Sequence, residues 1–297
     1  MVATRRLKEL ISATLSKLEL PDGRLVVALS GGADSASLAF LTLEAGREVA
    51  AVHVDHQLPG SPHLAKAARA IAANLEIPLE ISSVTLGPGP SPEEQARIAR
   101  YHVLSSVDAQ VLTAHTLDDS IETMLINLVR GTGPAGLAGI PRFRRPNITR
   151  PILALTRSET REMATLAGLP FFDDPMNVDM ALTRNRIRLE VLPLLRSLNP
   201  GVESALARTA AILSRDLSYL DRLTPGLSDN EVAVSVLLTL PRPLSDRILH
   251  GMLERADLSP TADRIERMWS VAVGESDRQD LAAGRVVVRR GALLTVD

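Results

Sequence analysis

The sequence predicts an α/β protein, a doubly wound parallel sheet with helices on both faces, followed by a smaller C-terminal α+β domain. Three observations predict it. Short apolar runs alternate with amphipathic helical patterns through the first half of the chain, as in a parallel sheet. The first of these runs ends in Ser30-Gly31-Gly32, a tight turn feeding a helix. Beyond residue 220 the pattern changes to two helices and an alternating hairpin.

The elements follow in order. The N-terminal MVATRRLKELISATLSKLEL reads as an amphipathic helix. Strands are expected at residues 24–29 (RLVVAL), 48–54 (EVAAVHV), 79–84 (LEISSV) and 109–113 (AQVLT), with helices near 62–74, 91–106 and 118–130. Residues 131–139 (GTGPAGLAG) and the proline-flanked arginine loop 141–151 read as irregular. Helical patterns return near 158–168, 185–197 and 202–222, the last after Asn199-Pro200-Gly201. This gives domains at 1–220 and 221–297. The second holds helices near 243–256 and 260–273 and a hairpin at 285–296 with Gly291 near its turn.

The chain has 297 residues, 45% of them hydrophobic and 23% charged, enough for a sizeable core and far from a disordered composition. No window is apolar enough to span a bilayer and the N-terminus is not a signal peptide, so no membrane partner and a cytoplasmic location are expected. There is no cysteine, which excludes disulfides, thiolate metal sites and persulfide chemistry. Net charge is −2, yet between Glu122 and Glu159 there is no acidic residue and six arginines, among them Arg142, Arg144 and Arg145. That stretch is either a nucleic-acid contact or a solvated loop.

Ser30-Gly31-Gly32-Ala33-Asp34-Ser35 reads as a phosphate cradle. Glycines let backbone N–H groups approach an anion, the helix N-terminus adds positive potential, and the serines supply donors. It is not a Walker A loop, since no Gly-Lys-Ser/Thr follows. Asp34 fits as a magnesium ligand. On the helix that starts near 118, Asp118, Asp119 and Glu122 fall within an arc of about 100° beside the apolar stripe Ile121, Met124, Leu125 and Leu128. Three carboxylates on one side near a strand's carboxyl end suit a cation, whereas helix-dipole pairing explains any one of them.

The SGGxDS loop resembles that of the N-type ATP pyrophosphatases, which adenylate a substrate oxygen. Residues 112–139 (LTAHTLDDSIETMLINLVRGTGPAGLAG) resemble the lysidine synthase pattern of a TAH, a DD-x-x-E helix and an R-G-x-G-x-x-G-L-x-G tail. Residues 173–188 (DDPMNVDMALTRNRIR) resemble that family's D-x-S-N segment and R-N-x-x-R. Two departures stand out: Met176 replaces the usual serine, and Thr116 stands where a second histidine is common.

The resemblance covers about residues 24–200, and it implies an adenine nucleotide alpha hydrolase-like fold using ATP and Mg2+. It further implies tRNA(Ile) and free lysine as substrates, lysine being joined to C2 of the wobble cytidine. ATP would meet Ser30, Gly31, Gly32, Asp34, Ser35, His53, Arg97, Arg100 and Gly131. Asp119, Glu122 and Asn177 would bind lysine, Arg188 the activated intermediate, and Arg142, Arg144 and Arg145 the tRNA. His115 either lies near ATP or is a structural histidine, and His53 either lines the pocket or is a buried strand residue. A tRNA thiolase of the same superfamily, disfavoured by the lack of cysteine, and a non-catalytic tRNA-binding descendant are the rival readings. A homodimer is left open.

Overall fold

Residues 25–29 are apolar without interruption because both faces of their strand are covered. In the computed structural model β1 (Leu25–Ala28) lies inside a six-stranded sheet. Leu25, Val27 and Leu29 pack on one side with Leu38 and Leu41 of α2 (Ala33–Glu44), Ile71 of α3 (Ser61–Asn74) and Met163 of α7 (Arg157–Leu166). Val26 packs on the other side with Val52, Leu104, Val111 and Ile148. The alternation along one strand thus feeds two helical layers. The structure describes residues 2–57, 60–85, 92–144, 146–224, 230–256 and 258–297, with side chains throughout except at 2, 3, 92–94 and 177.

β2 (Val49–Asp55) and β3 (Leu79–Ser83) lie on one side of β1 and β4 (Gln110–Leu112) on the other, all parallel. The chain moves outward through β2 and β3, then returns across β1 by α4 (Pro92–Ser106) to place β4. Neighbouring connections diverge between β1 and β4, and open α/β sheets bind ligands at such a crevice. α1 (Val2–Leu15) packs on α2 and α7, and α5 (Leu117–Val129) leaves from β4.

Two stretches expected to be irregular are ordered. Residues 131–139 include the short helix α6 (Pro134–Leu137), and the arginine loop forms β5 (Phe143–Arg144) and β6 (Ile148–Thr149). β6 extends the sheet parallel to β4, and β5 closes it as an antiparallel edge, so the sheet is mixed rather than purely parallel. Asn147 explains why prolines and arginines did not prevent this: its buried amide donates to the carbonyls of Val107 and Ala109, each at 2.9 Å, and seats β6 against the α4–β4 connection.

After α7 come a 3₁₀ turn (Pro175–Val178), α8 (Thr183–Arg186), a π-helical turn (Ile187–Val191), α9 (Leu192–Leu198) and α10 (Val202–Leu223). Contacts divide the chain into compact units Met1–Ile212 and Leu213–Asp297, the division falling inside α10. The second unit holds β7 (Glu231–Ala233), α11 (Val234–Thr239), α12 (Arg242–Arg255), α13 (Ala262–Ala272), β8 (Arg278–Ala282), β9 (Arg285–Arg290) and β10 (Leu293–Val296). Its antiparallel sheet has the order β7-β10-β9-β8 and shares a core of Leu237, Leu249, Met252, Met268, Val287 and Leu294 with the helices. The expected hairpin is β9–β10, while β7, α11 and β8 had no clear sequence signal.

Candidate active site

The turn after β1 is shaped before any ligand arrives. Gly31 has φ +91°, and a Cβ there would stand 2.5 Å from the Leu64 carbonyl oxygen, so only glycine fits. The Ser35 hydroxyl accepts from the Ser30 backbone N–H at 3.1 Å, lies 3.0 Å from the Ser30 hydroxyl and donates to the Gly32 carbonyl at 3.0 Å. Gly32 caps α2 without a side-chain acceptor, which leaves the first-turn N–H groups of a twelve-residue helix to an anion.

Asp34 sits in that first turn with about a quarter of its side chain exposed. Burial, helped by the nearby Asp119 carboxylate, pushes its pKa up to about 6, although the Thr160 hydroxyl that donates to it pulls the other way. A carboxylate so placed gains from a cation. His53, on β2, is buried and contacts the Leu29 carbonyl through Nδ1 at 2.8 Å, so it ties β2 to the end of β1; burial lowers its pKa. Arg100 on α4 donates from Nε to Nε2 of His56 at 3.4 Å, and burial followed by Arg100 holds His56 down to about 4.

On the other side of the crevice, β4 leads through His115 to the Thr116 cap of α5. The Thr116 hydroxyl accepts from Asp119 N–H while the Asp119 carboxylate accepts from Thr116 N–H at 2.9 Å, a reciprocal box that fixes Asp119. His115 Nδ1 lies 3.1 Å from the Thr113 hydroxyl, and burial, opposed by Asp119, drives the imidazole down to about 4, so it is neutral at pH 7. Burial raises Asp119, but Arg157, the Thr116 N–H and His115 together hold it below the usual carboxylate range.

The expected open trio of carboxylates is instead an ionic network. Glu122 has no exposed side-chain surface. Arg188 donates to it from Nε at 2.7 Å and Nη2 at 3.1 Å, Arg157 Nη1 lies 3.2 Å away and Arg184 Nε 3.3 Å away. Packing dictates this: Ile121 and Leu125 of α5 bury against Ile187 and Leu192, which brings Arg188 of the wide π turn and Arg184 of α8 against Glu122. Arg157 also reaches Asp119 at 2.8 Å, and its backbone N–H donates to Asp118 at 2.8 Å.

The other expected residues are dispersed. Arg97 lies 5.8 Å over the Tyr101 ring and shares a shallow cleft with Arg144, whose guanidinium stacks on that ring at 4.1 Å. Arg142 pairs with Glu19 at 2.6 Å. Gly131 closes α5 with φ +71°, roughly 20 Å from the helix N-terminus at 1.5 Å per residue. The Asn177 side chain and Arg145 lie outside the described residues.

Sequence reading missed Arg157, Thr160 and Arg184. One signal was available: Thr156-x-x-Glu159 repeats the Thr116-x-x-Asp119 box, so the start of α7 was readable as a second rigid helix N-terminus. The R-N-x-x-R asparagine is structural, as Asn185 donates to the carbonyls of Met176 at 2.9 Å and Asp179 at 2.8 Å and holds the intervening loop.

The PP-loop domain family matches residues 2–195. The tRNA(Ile)-lysidine synthase of Salinispora tropica is 40% identical over 94% of this chain and 93% of its own, and that of Mycobacterium tuberculosis 38% over 90% and 91%. Among solved structures, the U34-tRNA thiolase NcsA from Methanococcus maripaludis superposes with a TM-score of 0.57 at 19% identity, covering 72% of this chain and 80% of that one, which shows a shared fold. With a phosphate loop at the switch point and relatives of this identity along nearly their whole length, the chain belongs to the tRNA(Ile)-lysidine synthase family of PP-loop proteins.

Proposed function

We propose that this protein joins lysine to C2 of the wobble cytidine of tRNA(Ile) bearing a CAU anticodon, releasing AMP and pyrophosphate. The relatives' activity supports the reading. The observation that carries it is the opposition, across one crevice, of an uncapped helix N-terminus at Gly32 and an acidic, arginine-braced helix N-terminus at Asp119. One suits a triphosphate and the other an amino acid cation.

Ser30, Gly31, Gly32 and Ser35 hold the pyrophosphate portion of ATP. Asp34 fits magnesium: its partly exposed carboxylate stands in the first turn of α2 beside the loop, and this ion typically takes one or two protein carboxylates plus substrate phosphates. When bound, it neutralises charge on the phosphates. The C2 oxygen of the cytidine attacks the α-phosphorus and pyrophosphate leaves. Asp119 and Glu122 recruit lysine, whose ε-ammonium gives a proton to solvent before its nitrogen attacks C2; the C2–O bond breaks and AMP departs with the oxygen. Neutral His115 offers a hydrogen bond rather than a charge, and Arg188, partly exposed while holding Glu122, faces the activated intermediate. Orientation and charge neutralisation supply the acceleration, with no covalent enzyme intermediate.

A thiolase reading is weaker because the chain has no cysteine to carry sulfur or ligate a cluster. Incubation of a tRNA(Ile) transcript with ATP and labelled lysine tests the proposal. Label in the RNA with stoichiometric AMP is expected; AMP without incorporated lysine overturns it.

A further inference from the structure

One guanidinium joins the two halves of the site. Arg157 places Nη2 2.8 Å from Asp119, Nη1 3.2 Å from Glu122 and Nε 3.8 Å from Asp34. Its backbone is anchored independently of its side chain: Arg157 is the first residue of α7, its N–H donates to Asp118, and one turn on Thr160 donates to Asp34 and accepts from Ser37 at 2.6 Å. The side chain can therefore exchange partners without a shift of the α7 backbone.

The two carboxylates that it bridges depend on it unequally. Glu122 keeps Arg184 and Arg188 if Arg157 leaves. Among the described residues Asp119 has no other ion-pair partner. A carboxylate that is largely buried needs a cation, and lysine would arrive with one. Exchanging one cation for the other keeps the charge of the pocket constant, while the released guanidinium stays tethered beside Asp34 and the phosphate loop.

Resting on the lysine reading above, we propose that Arg157 is an internal stand-in for the substrate's ammonium group. It occupies Asp119 and Glu122 until lysine displaces it, and the phosphates of ATP offer it an alternative partner. ATP thus frees the lysine site, and by reciprocity lysine favours ATP.

The test measures lysine affinity calorimetrically on the intact chain, with and without α,β-methylene ATP and Mg2+. Wild type should bind lysine at least about 10-fold more tightly with the analogue, within the usual range of allosteric coupling. Arg157→Gln should bind lysine more tightly than wild type without nucleotide, and the gain from the analogue should shrink to about 2-fold or less. A merely structural arginine predicts weaker lysine binding in both conditions, and that result, or unchanged coupling, overturns the proposal. Should Arg157→Gln fail to fold, Arg157→Lys serves: a single ammonium cannot bridge carboxylates as a guanidinium does, so coupling must fall, and wild-type coupling refutes the idea. Asp119→Asn separates the two readings. If it binds lysine normally the lysine site is elsewhere; if it loses lysine while Arg157→Gln keeps full coupling, only the role of Arg157 is lost.

Discussion

Arg188 grips Glu122 through two hydrogen bonds, at 2.7 and 3.1 Å, across 66 residues of chain. Because Glu122 is fully buried and meets two further arginines, removing its charge leaves an uncompensated cationic cluster. Breaking such a pair from one side costs about 3–5 kcal/mol. Glu122→Ala should therefore lower the melting temperature of the protein by roughly 6–20 °C, with Glu122→Gln between it and wild type. Calorimetric melting checks this, and a melting point within about 1 °C of wild type would show that the network adds nothing to stability.

Asp34 makes the opposite prediction. Its folded pKa of about 6 lies above the 3.8 of the unfolded chain, so between these values the native state binds more protons. Stability from this group is thus highest below pH 4 and falls as pH rises through 6, a penalty of about 1–3 kcal/mol at neutral pH. Asp34→Asn removes the charge and can still accept from Thr160. We expect it to melt higher than wild type at pH 7.5, to converge with it near pH 4, and to release no AMP from ATP and tRNA. A lower melting point at pH 7.5 would contradict the burial argument.

Both halves of the crevice were legible because local signals fix them. The apolar run before Ser30 places the loop at a strand end, and Thr116-Leu117-Asp118-Asp119 marks a capped helix. The network between them was not legible. A helical wheel shows that Asp119 and Glu122 share a side, but not that Arg157 and Arg188, 38 and 66 residues further on, fold against it. Asp118 and Asp119, which share one side of the helical wheel, take different partners in the structure, the Thr116 cap for Asp119 and the α7 backbone for Asp118. In the second unit β7 and β8 escaped notice because they are the edges of the sheet, short or polar, without the alternation that burial imposes on a central strand.

Glycines that look equivalent in sequence should behave differently. At Gly31 a methyl group meets a backbone oxygen at 2.5 Å, and φ is +91°; at Gly131 φ is +71° but nothing lies within 4 Å. Gly31→Ala must move the loop off α3 and should raise the KM for ATP at least about 10-fold, the effect of some 1.4 kcal/mol. Gly131→Ala should cost only backbone strain, roughly 1–2 kcal/mol of stability, and leave the ATP KM unchanged. AMP release at varied ATP measures both. An ATP defect in Gly131→Ala would put that glycine in the nucleotide site.

The arginine stretch at 142–150 is divided by its partners, and the division sets what each residue can give to RNA. Arg150 is buried, donating to the Tyr101 hydroxyl at 3.0 Å, and is part of the fold. Arg144 lies exposed on the ring of that same Tyr101, a planar cation on an aromatic platform, suited to a phosphate or an unpaired base. Arg142 is half neutralised by the exposed Glu19. If this edge of the sheet contacts tRNA, Arg144→Ala should weaken binding at low salt and flatten the slope of log affinity against log salt by about 0.7–0.9 for each lost phosphate contact. Arg144→Lys should recover the slope but only part of the affinity, since an ammonium keeps the charge and loses the stacking plane. Glu19→Ala should move affinity upward, because it releases Arg142 from a competing carboxylate. Filter binding of tRNA(Ile) at two or more salt concentrations reads all three. Wild-type affinity and slope in both Arg144 variants, with no gain in Glu19→Ala, would mean that these arginines are solvated and that the tRNA is held by other surfaces.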